Sequence, residues 1–381
     1  MKVVVAIDSL KGSLSSMEAG RAIEEGIKNV VPNADVYVSP IADGGEGTVE
    51  AIISGMNGSM ISTEVLDPLG RKIKCEYGIA SLKNGETAVI EMAASSGITL
   101  LSADERNPYF TTTYGLGEII IDAINKGCRH FLIGIGGSAT NDGGVGMLQA
   151  LGYNFLDEHG CEIGRGAIGL KDIADISDKN VISELKDCTF EIACDVKNPL
   201  CGENGCSAVY GPQKGADSEM VEKMDQWMEH YAKIAHNKYS KADKDVPGAG
   251  AAGGLGFAFQ TFTNSTLESG VQIVLRETKL EEYIADADIV VTGEGRLDGQ
   301  TVMGKAPVGV ASIAQKYKKT VIAFAGSVTD DAKLCNENGI NAYFPILRSI
   351  TSLEDAMKPE NAYKNMKETA EQVFRLYSLK K

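Results

Sequence analysis

Five acidic residues stand just beyond apolar runs, four of them in glycine-flanked segments. They are Asp43 and Glu46 in DGGEGT, Asp195 in CDVKNP, and Glu294 and Asp298 in TGEGRLDGQTVMGK. Carboxylates so placed can do two jobs. One or two of them can hold a divalent cation against phosphate oxygens, and another can take the proton of an attacking hydroxyl. Asp43, Glu46, Glu294 and Asp298 are the expected metal ligands, and Asp195 is the expected base. Histidine is the usual rival for that proton, but His130, His159, His230 and His236 all lie outside these segments. Three lysines share the glycine-rich setting: Lys11 in DSLKGS, Lys214 in GPQKGA and Lys305 in GKAP. In an acidic chain such lysines suit a phosphate or a substrate carboxylate. Lys11 and Lys214 are the two expected beside the reacting atoms.

Three longer glycine loops accompany them: GGSATNDGG from Gly136, PGAGAAGGLGF from Pro247, and TGEGRLDGQTVMGK from Thr292. Glycine lets a ligand approach the backbone, and amides at a helix start can cradle an anion. Asp8, Ser9, Gly137, Ser138, Thr140, Asn141, Asn198, Gly253, Gly254, Gln300, Thr301 and Lys305 are the expected substrate and phosphate contacts. In PGAGAAGGLGF, close helix packing is an equal alternative. None of the loops is a Walker motif, because Lys305 precedes alanine where a hydroxyl residue is required. No GxGxxG follows the first strand, which disfavours a dehydrogenase of standard design.

These residues need elements to position them. Val3–Ile7 is a continuous apolar run, as in a strand buried on both faces. Ser15 and Glu18 form a capping box, Ala19, Ile23, Ile27 and Val30 follow at helical spacing, and Pro32 ends the helix. Strands are expected at 36–38, 131–135, 190–194, 288–291, 321–325 and 342–346. A helix is expected to follow DGGEGT, with another from Pro307 and a long polar one over 217–236. Alternating residues at 72–77, flanked by DPLG and Asn84-Gly85, predict an antiparallel interruption. The simplest architecture is α/β: a parallel-sheet domain formed from both chain ends, residues 1–61 and 285–381. An inserted α/β domain with a mixed sheet would span 62–284. Polar residues at five strand ends in two domains suggest one cleft for the ligands.

The 381 residues suffice for two domains. A formal charge of -15 argues against nucleic acid and anionic membrane surfaces as partners. Eight irregularly spaced cysteines form no zinc pattern and read as reduced thiols. No signal peptide or membrane span is evident, which places the chain in the cytoplasm as an expectation.

DSLKGSLSS, DGGEGT, IGGSATNDGG, CDVKNPLCG, GPQKGA, PGAGAAGGLG and TGEGRLDGQTVMGKAPVGVA occur in that order. Together they resemble the first type of bacterial glycerate kinase, from Lys2 to about Pro345. Leu10 stands where many members have phenylalanine. The resemblance implies ATP-dependent phosphorylation of D-glycerate with magnesium, usually at the 2-hydroxyl. It also implies two dissimilar α/β domains, one of them Rossmann-like, with the site between them. The residues themselves indicate a phosphate-handling enzyme with a small-molecule substrate; glycerate comes from the resemblance. A kinase of another small hydroxy-acid and a non-catalytic sensor of acid metabolites are the alternatives, and the sequence sets no oligomeric state.

Overall fold

The structure, a computed structural model, describes residues 1–42, 47–56, 58–82 and 85–379. The chain divides into two units. The first comprises Met1–Asp43, Glu50–Asn57 and Val271–Lys381, and the second comprises Gly44–Val49 and Gly58–Gly270. These divisions differ from the expected crossings near 62 and 285. The strand Ser59–Leu66 already belongs to the second unit through its antiparallel pairing with Lys72–Leu82. Residues 271–284 belong to the first unit, where Leu280 and Ile284 are buried.

In the first unit the sheet is five-stranded and wholly parallel. Its spatial order is Ala342–Pro345, Thr320–Val328, Ile289–Leu297, Lys2–Ile7 and Asp35–Val38. Counted along the unit, that is the order 2-1-3-4-5 read from the other edge, the shorter of the two common doubly wound arrangements. Alternation explains the continuous apolar runs. Val3, Val5 and Ile7 join Ile23, Ile27, Met366 and Phe374 from the helices Ser16–Val30 and Pro359–Ser378. The helix Ala306–Lys316 packs on the same strands, with Pro307 in its first turn. A strand covered on both faces has no polar side to show. The capping box of Ser15 and Glu18 is formed.

The second unit has a six-stranded mixed sheet. Its order is Ser265–Glu268, Thr189–Ala193, His130–Gly134, Gly85–Glu91, Lys72–Leu82 and Ser59–Leu66. The first four are mutually parallel, Lys72–Leu82 runs antiparallel to Gly85–Glu91, and Ser59–Leu66 runs antiparallel to Lys72–Leu82. Leu82 pairs with Gly85; the expected turn at Asn84-Gly85 has Asn84 outside the described residues. One core fills the unit. Phe131 and Phe190 stack on adjacent strands at 4.8 Å between ring centres, and Phe190 meets Phe259 of the helix Ala251–Phe262.

Two sequence expectations were too short. Both Ile289–Leu297 and Thr320–Val328 run several residues beyond their apolar cores, because Glu294, Arg296 and Leu297 still pair with Ala325, Ser327 and Val328. Glu294 therefore sits in a strand, not in a loop. Gly293 permits this: a Cβ there would meet the Phe324 carbonyl at 1.9 Å. Among the described residues no helix is long and apolar enough to cross a membrane.

Candidate active site

In the 2-1-3-4-5 order the chain reverses direction of winding between Lys2–Ile7 and Ile289–Leu297, and ligands bind beyond the carboxyl ends of strands at such a point. The first unit has a cavity of about 460 Å³ there, lined by Asp8, Lys11, Glu294, Asp298 and Lys305 among others. The two strand ends are laced together, since the Asp8 amide donates to the Gly293 carbonyl at 2.9 Å. Asp8 is buried, and one of its carboxylate oxygens accepts from the Ser9 amide at 2.7 Å.

Beyond the third strand, Thr301 organises the acids. Its hydroxyl donates to Glu294 Oε1 at 2.7 Å and accepts from the Asp298 amide at 3.1 Å. Lys305 Nζ stands 3.6 Å from Glu294 Oε2 and 4.0 Å from Asp298 Oδ1. Arg296, not foreseen from the sequence, adds a second cation 3.6 Å from Asp298 Oδ2. Burial pushes the Glu294 carboxyl above the ordinary glutamate range; Thr301 and Lys305 pull the other way without overcoming it. Gln300 is exposed, and its amide donates to Asp298 Oδ1 at 2.9 Å. Two carboxylates beside a lysine are a donor set that fits magnesium, which needs only one or two protein carboxylates once phosphate oxygens are present. Asp43 and Glu46 lie outside the described residues. Among the described residues no three metal-ligating side chains converge.

The second unit holds the other expected residues, and its main loop works differently from the sequence reading. The helix after GGSATNDGG is only Val145–Ala150, and its start is occupied by the protein itself. The fully buried Asp142 carboxylate accepts from the amides of Gly144 at 3.1 Å, Gly146 at 3.2 Å and Thr113 at 2.8 Å, and from the Thr113 hydroxyl at 2.9 Å. The Met147 amide donates to that same hydroxyl at 2.9 Å. The expectation of a phosphate cradle at this helix start is therefore corrected: an internal carboxylate already satisfies these donors. Burial raises the Asp142 carboxyl, and the donors offset only part of that. The signal for this network was the threonine run before Tyr114 together with Asp142, which the motif alone did not connect.

Upstream in the same loop, Gly137 is exposed while Ser138, Thr140 and Asn141 are buried. Lys214 lies beneath them, 2% exposed, its ammonium donating to Ser138 Oγ at 2.7 Å and to the Thr140 carbonyl at 2.6 Å. Burial lowers its pKa to about 8. Asn141 Nδ2 donates to Ser207 Oγ at 2.9 Å. Gly253 and Gly254 support this loop from behind. Gly253 has φ +68°, and a Cβ on it would strike the Thr140 carbonyl at 2.1 Å; its own carbonyl accepts from the Gly143 amide at 2.9 Å. Of the two readings of PGAGAAGGLGF, this geometry is the packing one.

Asp195 is exposed at the end of Thr189–Ala193 and accepts from the Gly270 amide at 3.3 Å. Asn198 ties its own segment together, donating to the Asn204 carbonyl at 2.9 Å and accepting from the Tyr210 hydroxyl at 2.7 Å. The histidines stay apart from both groups: His130 meets Thr189, His230 the Ile173 carbonyl and His236 the Ala242 carbonyl.

The model of the glycerate kinase family matches residues 3–378. Among curated relatives, the glycerate 2-kinase of Escherichia coli (strain K12) is 48% identical over 96% of this chain and 95% of its own length. The glycerate kinase of Bacillus subtilis (strain 168) is 47% identical over 98% of this chain and 97% of its own. A crystal structure of a protein assigned as glycerate kinase 2 from Salmonella typhimurium LT2 superposes with a TM-score of 0.90 at 44% identity, covering 100% of this chain and 98% of that one. With the whole chain matched in sequence and in fold, and with strand-end carboxylates and lysines of the kind phosphoryl transfer requires, this chain belongs to the glycerate kinase family.

Proposed function

We propose that this chain transfers the γ-phosphoryl group of ATP to the 2-hydroxyl of D-glycerate, giving 2-phosphoglycerate. The observation that carries the reading is the grouping of Glu294, Asp298, Thr301 and Lys305 at the strand-order reversal of a doubly wound sheet. Phosphoryl transfer is mostly positioning and charge stabilisation, and this grouping supplies both. Glu294 and Asp298 are the described residues that would hold magnesium, which when bound neutralises charge on the β- and γ-phosphates. Lys305, with Lys11 nearby in the same cavity, counters the remaining negative charge. Thr301 fixes the orientation of the Glu294 carboxylate and ties down the backbone of Asp298.

Acceptor chemistry falls to the second unit in this reading. The Asp195 carboxylate takes the proton of the glycerate hydroxyl as its oxygen attacks the γ-phosphorus and ADP departs with the bridging oxygen. Lys214 holds the Ser138–Thr140 segment in place from below, so that the exposed Gly137 and its neighbours meet the substrate in a fixed shape. Asp8, Ser9 and Gln300 are assigned to ligand contact by position; Asn198, Gly253 and Gly254 act by holding their loops.

The test is a coupled ATP-to-ADP assay with magnesium and D-glycerate, the product then offered to enolase. Turnover followed by direct conversion is the expected result. Turnover without conversion would move the transfer to the 3-hydroxyl. A folded protein that consumes no ATP with glycerate or another small hydroxy-acid would overturn the kinase reading.

A further inference from the structure

The cavity in the first unit has a wall that the phosphoryl-transfer chemistry leaves unused. Ile346, Leu347, Leu353, Ala356 and Met357 line it, all from the segment that follows the edge strand Ala342–Pro345, and Leu10 joins them from the first loop. Met357 reaches over that loop: its Cε lies 3.0 Å from the point a Cβ on Gly12 would occupy. Leu353 is 76% exposed and Leu347 43% exposed, so this part of the wall is aliphatic surface open to solvent, backed by Ile346 and Leu10 of the core. The cavity's other groups are balanced in sign: Asp8, Glu294 and Asp298 against Lys11, Arg296 and Lys305.

We propose that this cavity is the nucleoside-binding site of the enzyme, with the adenine of ATP against the aliphatic wall of Leu347, Leu353 and Met357 and its phosphates toward the charged groups. The inference rests on the kinase reading and adds to it the place of the base. Glycerate is too small and too polar to use such a wall. A nucleotide needs both halves: a flat apolar surface for a planar ring, and cations with metal-binding carboxylates for the phosphates. The volume of about 460 Å³ lies in the range of small-molecule and cofactor sites. The position beyond the strand ends, at the reversal of strand order, is where doubly wound sheets take nucleotides.

The experiment is calorimetric binding of ADP, without acceptor, to the full chain and to Leu353→Gln and Met357→Gln. Leu353 is largely exposed, so the first variant keeps the fold, and the neutral side chains leave the field at the phosphates unchanged. Each substitution should weaken ADP by about tenfold, the loss of one aliphatic contact face, while tripolyphosphate binds as to the unaltered chain. Leu353→Met should restore ADP. ADP affinity unchanged in both variants would overturn the assignment. So would an equal loss of tripolyphosphate, or no ADP binding by the unaltered chain. Because no acceptor is present, a failure of glycerate turnover would refute the acceptor assignment and leave this result readable.

Discussion

Replacing Lys214 with methionine separates the charge of this residue from its bulk. The ammonium is wholly enclosed, and burial lowers its pKa from the ordinary 10.5 to about 8, equivalent to about 3 kcal/mol against the charged form. Removing the charge relieves that penalty. It also removes the donor to the Thr140 carbonyl and to Ser138 Oγ. The serine hydroxyl can rotate to another partner, so the carbonyl is the main orphan, at about 1–3 kcal/mol. The two effects nearly offset, and Lys214→Met should unfold within about 2 kcal/mol of the parent at pH 7. Its turnover should nevertheless fall by about a hundredfold, because the Ser138–Thr140 segment loses the charge that holds it.

The pH dependence gives a second handle with a definite sign. Between pH 8 and 10.5 the native state binds fewer protons at Lys214 than the unfolded chain does. Unfolding free energy therefore rises with pH in that window, by about 2 kcal/mol from pH 7 to 9.5 for this group. Turnover should run the other way, falling as the ammonium loses its proton through about pH 8. Urea unfolding and the coupled assay, both run at several pH values on parent and variant, test this directly. Turnover by Lys214→Met within about threefold of the parent would refute the reasoning. So would a parent rate that stays flat while its stability climbs.

Other substitutions probe other parts of the site. Glu294 has a raised pKa, so its protonated form stabilises the fold at low pH and that contribution is lost as pH rises through the folded value. Glu294→Gln should flatten that acid-side dependence and weaken apparent magnesium affinity at least about tenfold in activity titrations; unaltered magnesium dependence would remove Glu294 as a ligand. Asp195→Asn should keep the fold, because the carboxylate is exposed, and should lower kcat by about 10²–10⁴. Near-parental turnover would exclude Asp195 as the base. Gly253→Ala places a Cβ 2.1 Å from the Thr140 carbonyl at φ +68°, and thermal unfolding should show a loss of more than about 2 kcal/mol; an unchanged melting temperature would mean that the loop does not need this contact.

Much of the architecture was legible because apolar runs and turn residues act locally. Val3–Ile7 reads as a doubly covered strand from composition alone, and Ser15 with Glu18 marks a helix start three residues wide. Elements without such signals escaped. Only Val65 of Ser59–Leu66 is buried, so its pattern carried little hydrophobic information. Ile289–Leu297 was cut short because its last residues are polar, and only pairing with a neighbour keeps them extended.

The sequence by itself determined which chemistry this chain can hold: carboxylates, lysines and glycines in seven ordered segments, dense enough to identify a family. Tertiary structure decided what each group is free to do. The sequence cannot tell an amide awaiting phosphate from one held by Asp142, because the Thr113 and Gly146 donors that meet that carboxylate are brought together only by folding. Nor can it tell a solvated lysine from one enclosed under Ser138 and Thr140, because burial is a property of what packs around a residue, not of its neighbours along the chain.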